Sequence, residues 1–197
     1  MRYGSEHKEQ TRARVLKEAA REIRAKGPGG IGVAGIMARA GLTHGGFYAH
    51  FKSKDALVAA ALDSMFDDAR ARLERTAADA DPRVALRSYI DFYLSSAHRD
   101  ARDRGCPLPA LSGDLARSDA DARVRFGQGL AGLTARMAEK LRLIGHAEPE
   151  RGAASLVAEL VGAVALARAV ADPEQSDAIL ANAHASACER FGLGDAA

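Results

Sequence analysis

Gly41-Leu42-Thr43-His44-Gly45-Gly46-Phe47-Tyr48-Ala49-His50-Phe51-Lys52-Ser53-Lys54 is the stretch whose reading decides the fold. Thr43 is a good helix N-cap, because its hydroxyl accepts from an amide that the first turn leaves unpaired, and the helix behind it has room for barely two turns. Two glycines then fall in that first turn. Each costs up to ~1 kcal/mol against alanine, so a sequence that keeps both wants bare backbone close to something. The side chains indicate what that something is. Phe47 and Phe51 stand four apart and share a face that packs inward, while His44, Tyr48, His50, Lys52 and Lys54 supply hydrogen-bond donors on the rest. That mix suits phosphates and base edges.

The preceding segment completes the motif. Val33, Ile36, Met37 and Ala40 fall at i, i+3, i+4 and i+7, one apolar stripe on a short helix, and Gly41 follows as a C′ residue. Helix, short turn with glycine and a second short helix make a helix-turn-helix, whose second helix enters the DNA major groove. Through Ile36-Met37-Ala38-Arg39-Ala40-Gly41-Leu42-Thr43-His44-Gly45-Gly46-Phe47-Tyr48-Ala49-His50-Phe51, followed by Ser53-Lys54-Asp55-Ala56-Leu57, the chain resembles the TetR family of transcriptional regulators. The likeness is strong over residues 11–58 and loose beyond. It implies an all-α protein: an N-terminal three-helix helix-turn-helix domain over residues 1–54, then a larger helical effector-binding and dimerisation domain over 55–197. Carried over residue by residue, Thr43, Tyr48, His50 and Lys54 resemble the family's phosphate-contacting positions, with Lys52 as a further cation, and His44, Gly45 and Gly46 lie where bases are read. Gly32 stands where the family usually has a serine or threonine touching a phosphate, so that contact is not carried over, and Gly35 loosens the same helix.

Charge agrees with this division. Residues 1–54 carry 11 Lys and Arg against 4 Asp and Glu, a balance of +7, whereas the remainder carries 17 against 22, a balance of −5. A basic front on an acidic body is the electrostatic footprint of a nucleic-acid-binding unit joined to something that avoids nucleic acid. Two cysteines, Cys106 and Cys188, are too few for a secreted disulfide scaffold. No apolar run approaches the ~18 residues free of charge that a membrane span needs, and the N-terminus lacks an apolar signal core, so a cytoplasmic location without membrane is expected. The glycine-rich segment from Gly27 to Gly32 lacks the Gly-Lys-Ser/Thr ending of a phosphate loop and is a turn. No metal set or cofactor motif is expected.

Residues 1–10 are polar and lack periodicity, which predicts a mobile arm carrying Arg2 and Lys8. Val15, Leu16, Ala19, Ala20 and Ile23 then form a helix stripe, with Arg12, Arg14, Lys17, Arg21 and Arg24 at its polar positions, ending near Gly27-Pro28. Ser53 caps a long helix to about Arg75 that joins head to body. Asp81-Pro82 opens a helix to about His98, Pro107 to Arg117 makes a short one, and Ser118-Asp119 restarts a longer one to about Leu143. Gly127, Gly129 and Gly132 inside the latter permit close packing or leave room for a ligand. Glu148-Pro149 and Asp172-Pro173 open the last two helices, whose small residues suit a four-helix contact between two identical subunits.

Joined together, the parts predict a sequence-specific homodimer on double-stranded DNA. It reads a palindromic operator as a repressor and is released when a small apolar effector binds the body. The effector-site residues put forward are Phe66, Tyr89, Phe92, Tyr93, Phe126, Leu130 and Met137, with His98 as a polar partner. Cys106 offers a second route: it precedes Pro107 at a helix start with Arg102 and Arg104 nearby, a setting for a thiol redox or electrophile sensor. The rival from another class is an enzyme with Cys106 as nucleophile and His98 as base, for which no oxyanion or orienting group announces itself. The sequence is accordingly read as that of a non-enzyme.

Overall fold

The computed structural model describes residues 2–78 and 81–194. Among them the regular elements are α1 (Arg2–Lys26), α2 (Val33–Arg39), a 3-10 helix (His44–Ala49), α3 (Lys54–Thr76), α4 (Pro82–Tyr93), α5 (Ser96–Asp100), α6 (Pro107–Leu115), α7 (Ala120–Leu143), α8 (Pro149–Ala169) and α9 (Pro173–Arg190), with no strand.

Most boundaries follow from short-range chemistry. Ser53 caps α3 by accepting from the Ala56 N–H at 3.0 Å, Asp119 caps α7 through Ala122 at 3.0 Å, and Asp81 and Asp172 do the same for α4 and α9. Pro82, Pro149 and Pro173 occupy the first helical position, where their missing N–H costs nothing. At the end of α2, Gly41 has a φ of 72°, and the Gly41 and Leu42 amides return to the Ala38 and Met37 carbonyls. These crossed bonds are a Schellman stop, which requires a residue without a Cβ penalty at that φ.

Two elements differ from the sequence reading. The arm expected over residues 1–10 is helical from Arg2, because good helix formers such as Glu6, Lys8, Glu9 and Gln10 extend a helix already nucleated where Val15 and Ala19 are buried. The single helix expected from Pro82 to His98 breaks after Tyr93. There the Ser95 hydroxyl donates to the Phe92 carbonyl at 2.7 Å and accepts from the His98 N–H at 3.1 Å, ending α4 and starting α5 with one side chain.

Packing sorts the apolar residues into two clusters that meet along α3. One gathers Val15, Ile23, Ile36, Met37, Phe47, Phe51 and Leu62 from α1, α2, the 3-10 helix and the first half of α3. The other gathers Leu73, Leu86, Ile90, Met137, Leu160, Val164 and Phe191 from the second half of α3 with α4, α7, α8 and α9. Leu111 and Leu115 of α6 and Ala122 of α7 belong to the first cluster, so elements that follow α4 in the chain also close the core built on α1 and α2. Helix α8, with a mean hydropathy of 1.5 over its most apolar 18 residues, is long and apolar enough by composition to cross a membrane; it packs against α6, α7 and α9.

Candidate nucleic-acid interface and the cavity behind it

The segment after Gly41 is a 3-10 helix, and the Thr43 hydroxyl makes no cap hydrogen bond. Both points correct the capped α-helix expected from the sequence. With two glycines in so short a segment the wider α turn gains too little, and the Gly46 N–H bonds the Thr43 carbonyl three residues back at 3.1 Å. The Thr43 hydroxyl is thereby left on the surface.

Phe47 and Phe51 turn inward and stack at 5.8 Å, which holds the segment's other face out. Thr43, His44, Gly45 and Lys52 are exposed, and Tyr48 stands 70% exposed, anchored only by edge contact of its ring with Phe47 at 5.2 Å. His50 is half-buried, and its Nδ1 has no partner. Lys54 is half-buried too; its ammonium donates one long bond of 3.4 Å to the Gly29 carbonyl, tying the α1–α2 loop to the start of α3. Neither Gly45 nor Gly46 has a positive φ. A Cβ at Gly45 would meet nothing within 4 Å, and one at Gly46 would make ordinary contacts of 3.8 Å with Met37 and Thr43. Nothing inside the chain demands glycine at either position.

Behind this surface a cavity of about 550 Å³ opens between α1, α3, α4 and the loop that leads into α6. Its floor is aromatic, formed by Tyr89, Phe92 and Tyr93, and its wall carries Arg24 from α1, Arg72 from α3 and Cys106. Of the effector-site residues read from the sequence, Tyr89, Phe92, Tyr93, His98 and Cys106 line it. Met137 does not, and lies instead on a narrow apolar void beyond Tyr89, Tyr93 and Cys106. Phe66 and Phe126 pack edge to face at 5.7 Å away from the cavity, and Leu130 is 37% exposed on the outside of α7. Arg24 carries no sign of a buried role in the sequence, where it occupies an ordinary polar helix position; only the fold buries it, at 8% exposure.

His98 holds the loop together rather than serving a ligand. Its Nδ1–H donates to the Tyr93 carbonyl at 2.7 Å, and its Nε2 accepts from the Cys106 N–H at 3.1 Å. Both ring nitrogens are thus committed to backbone, which leaves no base for the Cys106 thiol and removes the arrangement a nucleophile–base pair needs. Burial pulls the His98 pKa down to about 4, partly opposed by the bond to Tyr93 and assisted by the nearby Arg168 and Arg72 charges. The unfolded chain therefore takes up a proton near pH 6.5 that the folded one refuses, so stability is lost as pH falls from that value towards 4. Denaturant unfolding at pH 7.5 and pH 5 should differ by about 2 kcal/mol from this group alone. In His98→Gln that part of the difference should vanish, and an equal difference in both proteins would refute it.

Comparison with known proteins adds a second line. The family of bacterial regulatory proteins of the tetR type matches residues 15–61. TtgR of Pseudomonas putida, described as an HTH-type transcriptional regulator, is 26% identical over 174 residues, 83% of each chain. ArpR of Pseudomonas putida, a probable HTH-type transcriptional regulator, is 32% identical over 106 residues, 53% of this chain and 50% of its own. Among solved structures, a TetR transcriptional regulator from Chloroflexus aurantiacus aligns with a TM-score of 0.78 and 26% identity over 98% of this chain and 97% of that one. The reduced form of Escherichia coli NemR aligns with a TM-score of 0.80 and 23% identity over 91% and 96%.

Proposed function

The chain belongs to the TetR family of bacterial transcriptional regulators, and on that premise we propose that it works in the cytoplasm as a homodimeric repressor of a palindromic operator, released through the cavity behind its recognition surface. The observation that carries the DNA-binding part is the pair Gly45-Gly46, which no φ and no internal neighbour requires, set between exposed His44 and exposed Tyr48. The demand for bare backbone comes from outside the chain. Thr43, Tyr48, His50, Lys52 and Lys54 would hold phosphates, while His44 and the naked backbone face the bases, so that much of the readout falls on groove shape.

The division that fits this role is a DNA-binding head over residues 1–54 and an effector-binding and dimerisation body over 55–197, with α3 common to both cores. For the dimer, the outward side of α8 and α9 offers Ala154, Ala158, Ala181 and Ala185 with Leu166 at 60% exposure, small enough for two copies to approach closely.

Two readings of the sensor follow from the cavity, a small apolar molecule bound in it or modification of its Cys106 thiol, and the thiol has the firmer support. Cys106 is half-buried in the cavity wall and is the N-cap residue of α6, the helix that carries Leu111 and Leu115 into the head's core. An adduct on its sulfur therefore pushes directly on one of the elements that join body to head. NemR, similar in fold, was solved in a form called reduced. Burial pushes the Cys106 thiol up from its ordinary pKa, against the opposite pull of the Tyr93 hydroxyl, the Leu108 amide and the Arg24 and Arg168 charges. The thiol is thus protonated at neutral pH, and only its small thiolate fraction would react with agents that enter the cavity.

N-ethylmaleimide at pH 7.5 should modify Cys106 more slowly than free cysteine, faster as pH rises beyond the ordinary thiol range, and full modification should release operator DNA. Cys106→Ser should bind operator and fail to respond. Release that persists in Cys106→Ser, or full modification without release, would remove the thiol and leave the bound-molecule reading.

A further inference from the structure

The cavity's side chains are not those of a site for a neutral apolar compound. We propose that it binds an aromatic carboxylate, a planar organic anion whose charge sits between Arg24 and Arg72 and whose ring lies on the Tyr89, Phe92 and Tyr93 floor. This deepens the regulator reading above and rests on it for its consequence, though not for its test.

Four observations carry the assignment. The first is Arg24, 92% buried by the fold on the cavity side of α1, with its Nε unpartnered. Among the described residues the carboxylate within ion-pair distance of it is Asp68, which stands 4.0 Å away and is itself 69% exposed, so water screens most of the attraction. A buried guanidinium with so weak a partner is costly, and burial accordingly lowers its pKa. An anion entering the cavity would remove that cost.

The second is the balance of charge. Lys17, Arg21, Arg24, Arg72, Arg75 and Arg104 line the cavity against only Asp68 and Asp103, and Asp103 is already engaged by Arg21 and Arg104. Among the described residues no carboxylate lies within ion-pair distance of Lys17, Arg72 or Arg75. The third is the floor. Three aromatic rings give a planar ligand an apolar surface to lie against, and the Arg72 guanidinium, 5.2 Å over the Phe92 ring, places a cation directly beside that surface. The fourth is the Tyr93 hydroxyl, buried with no oxygen or nitrogen partner and only the Cys106 sulfur beside it. It can donate to a carboxylate or to a ring substituent. A volume of about 550 Å³ accommodates one or two fused rings with a carboxylate.

The consequence is mechanical. Arg24 belongs to the head and the aromatic floor to the body, so an anion that bridges them is bound better by one head–body arrangement than by another. Only that difference in affinity can move the recognition surfaces.

The test is calorimetric titration of the intact chain, without DNA, with 1-naphthoate and with the neutral, nearly isosteric 1-naphthamide, in 0.3 M salt to screen the rim. Naphthoate should bind at least tenfold tighter than naphthamide. Arg24→Gln and Arg72→Gln should each cut naphthoate affinity tenfold or more while leaving naphthamide nearly unchanged, and Cys106→Ser should keep the preference for the anion. Removing the Arg24 charge relieves a buried guanidinium, so that variant is expected to fold, and the melting temperature of each variant verifies it. Equal affinity for acid and amide, or a preference for the acid that survives in Arg24→Gln/Arg72→Gln, overturns the proposal. Because no DNA is present, either failure leaves the operator-binding reading to its own experiments.

Discussion

Tyr48→Ala is expected to weaken operator binding by about tenfold or more while changing the stability of the chain by no more than about 0.5 kcal/mol. The asymmetry follows from where the side chain stands. At 70% exposure with a single ring contact to Phe47, Tyr48 contributes little to the head's core, which is closed by Phe47 and Phe51 beneath it. A hydroxyl bonded to a charged phosphate is worth about 1.5–3 kcal/mol, and a dimer loses two of them. Gly45→Ala sharpens the same expectation. A methyl there meets nothing within 4 Å in the free protein and suits a helical turn better than glycine, so stability should hold or rise. Operator affinity should nevertheless fall, because the added carbon stands between backbone and DNA. Gel-shift titration and thermal melts on both variants check this. An operator affinity that neither change lowers would mean that this surface is not the one facing DNA.

The largest effect on stability is expected from Gly129→Ala. The Cβ of an alanine at this position in α7 would fall inside the ring of Phe66, which is 2% exposed and wedged against Phe126, so it cannot swing aside as a flexible chain end would. Overpacking of this kind costs about 1–3 kcal/mol or more, and the ~1 kcal/mol that alanine gains by helix propensity offsets only part of it. A net loss of about 2 kcal/mol, or roughly 4–8 °C in melting temperature, is the expected result. Gly127, two residues earlier, has no atom within 4 Å of its would-be Cβ. Gly127→Ala should therefore stabilise by about 0.5–1 kcal/mol, the propensity term alone. If both variants melt alike, the close approach of α7 to α3 is not what keeps Gly129.

That pair also shows what the sequence could and could not reveal. Three glycines in one helix announced a packing or pocket role without saying which of them had it, because the answer lies in which face meets Phe66, a residue on another helix. What short-range chemistry decides was legible: the stripe from Val33 to Ala40, the stop at Gly41, and the serine, aspartate and proline helix starts are all settled within a few residues of themselves. The 3-10 geometry after Thr43 was not, since a six-residue helix with two glycines is settled by a margin too small for propensity to resolve. The break at Ser95 hid inside an unbroken apolar period from Leu86 to Leu94. Least legible was the cavity. Arg24 occupies a solvent position by its spacing on α1, and it becomes a buried cation only when α3 and the loop before Cys106 close over it. The docking of Leu111 and Leu115 into the head likewise depends on contacts between elements far apart in the chain, which periodicity does not encode.

The claim on which the account turns is that the naked 3-10 segment lies against DNA in two symmetric copies. Footprinting of the intact protein on the DNA flanking its own coding region tests it most directly, alongside the Tyr48→Ala/Gly45→Ala double variant. The account predicts protection of two inverted half-sites centred about one helical turn, or a multiple of it, apart, lost in the double variant although that protein remains folded. Protection of a single site without symmetry, or a symmetric footprint that the double variant reproduces at the same concentration, would contradict it.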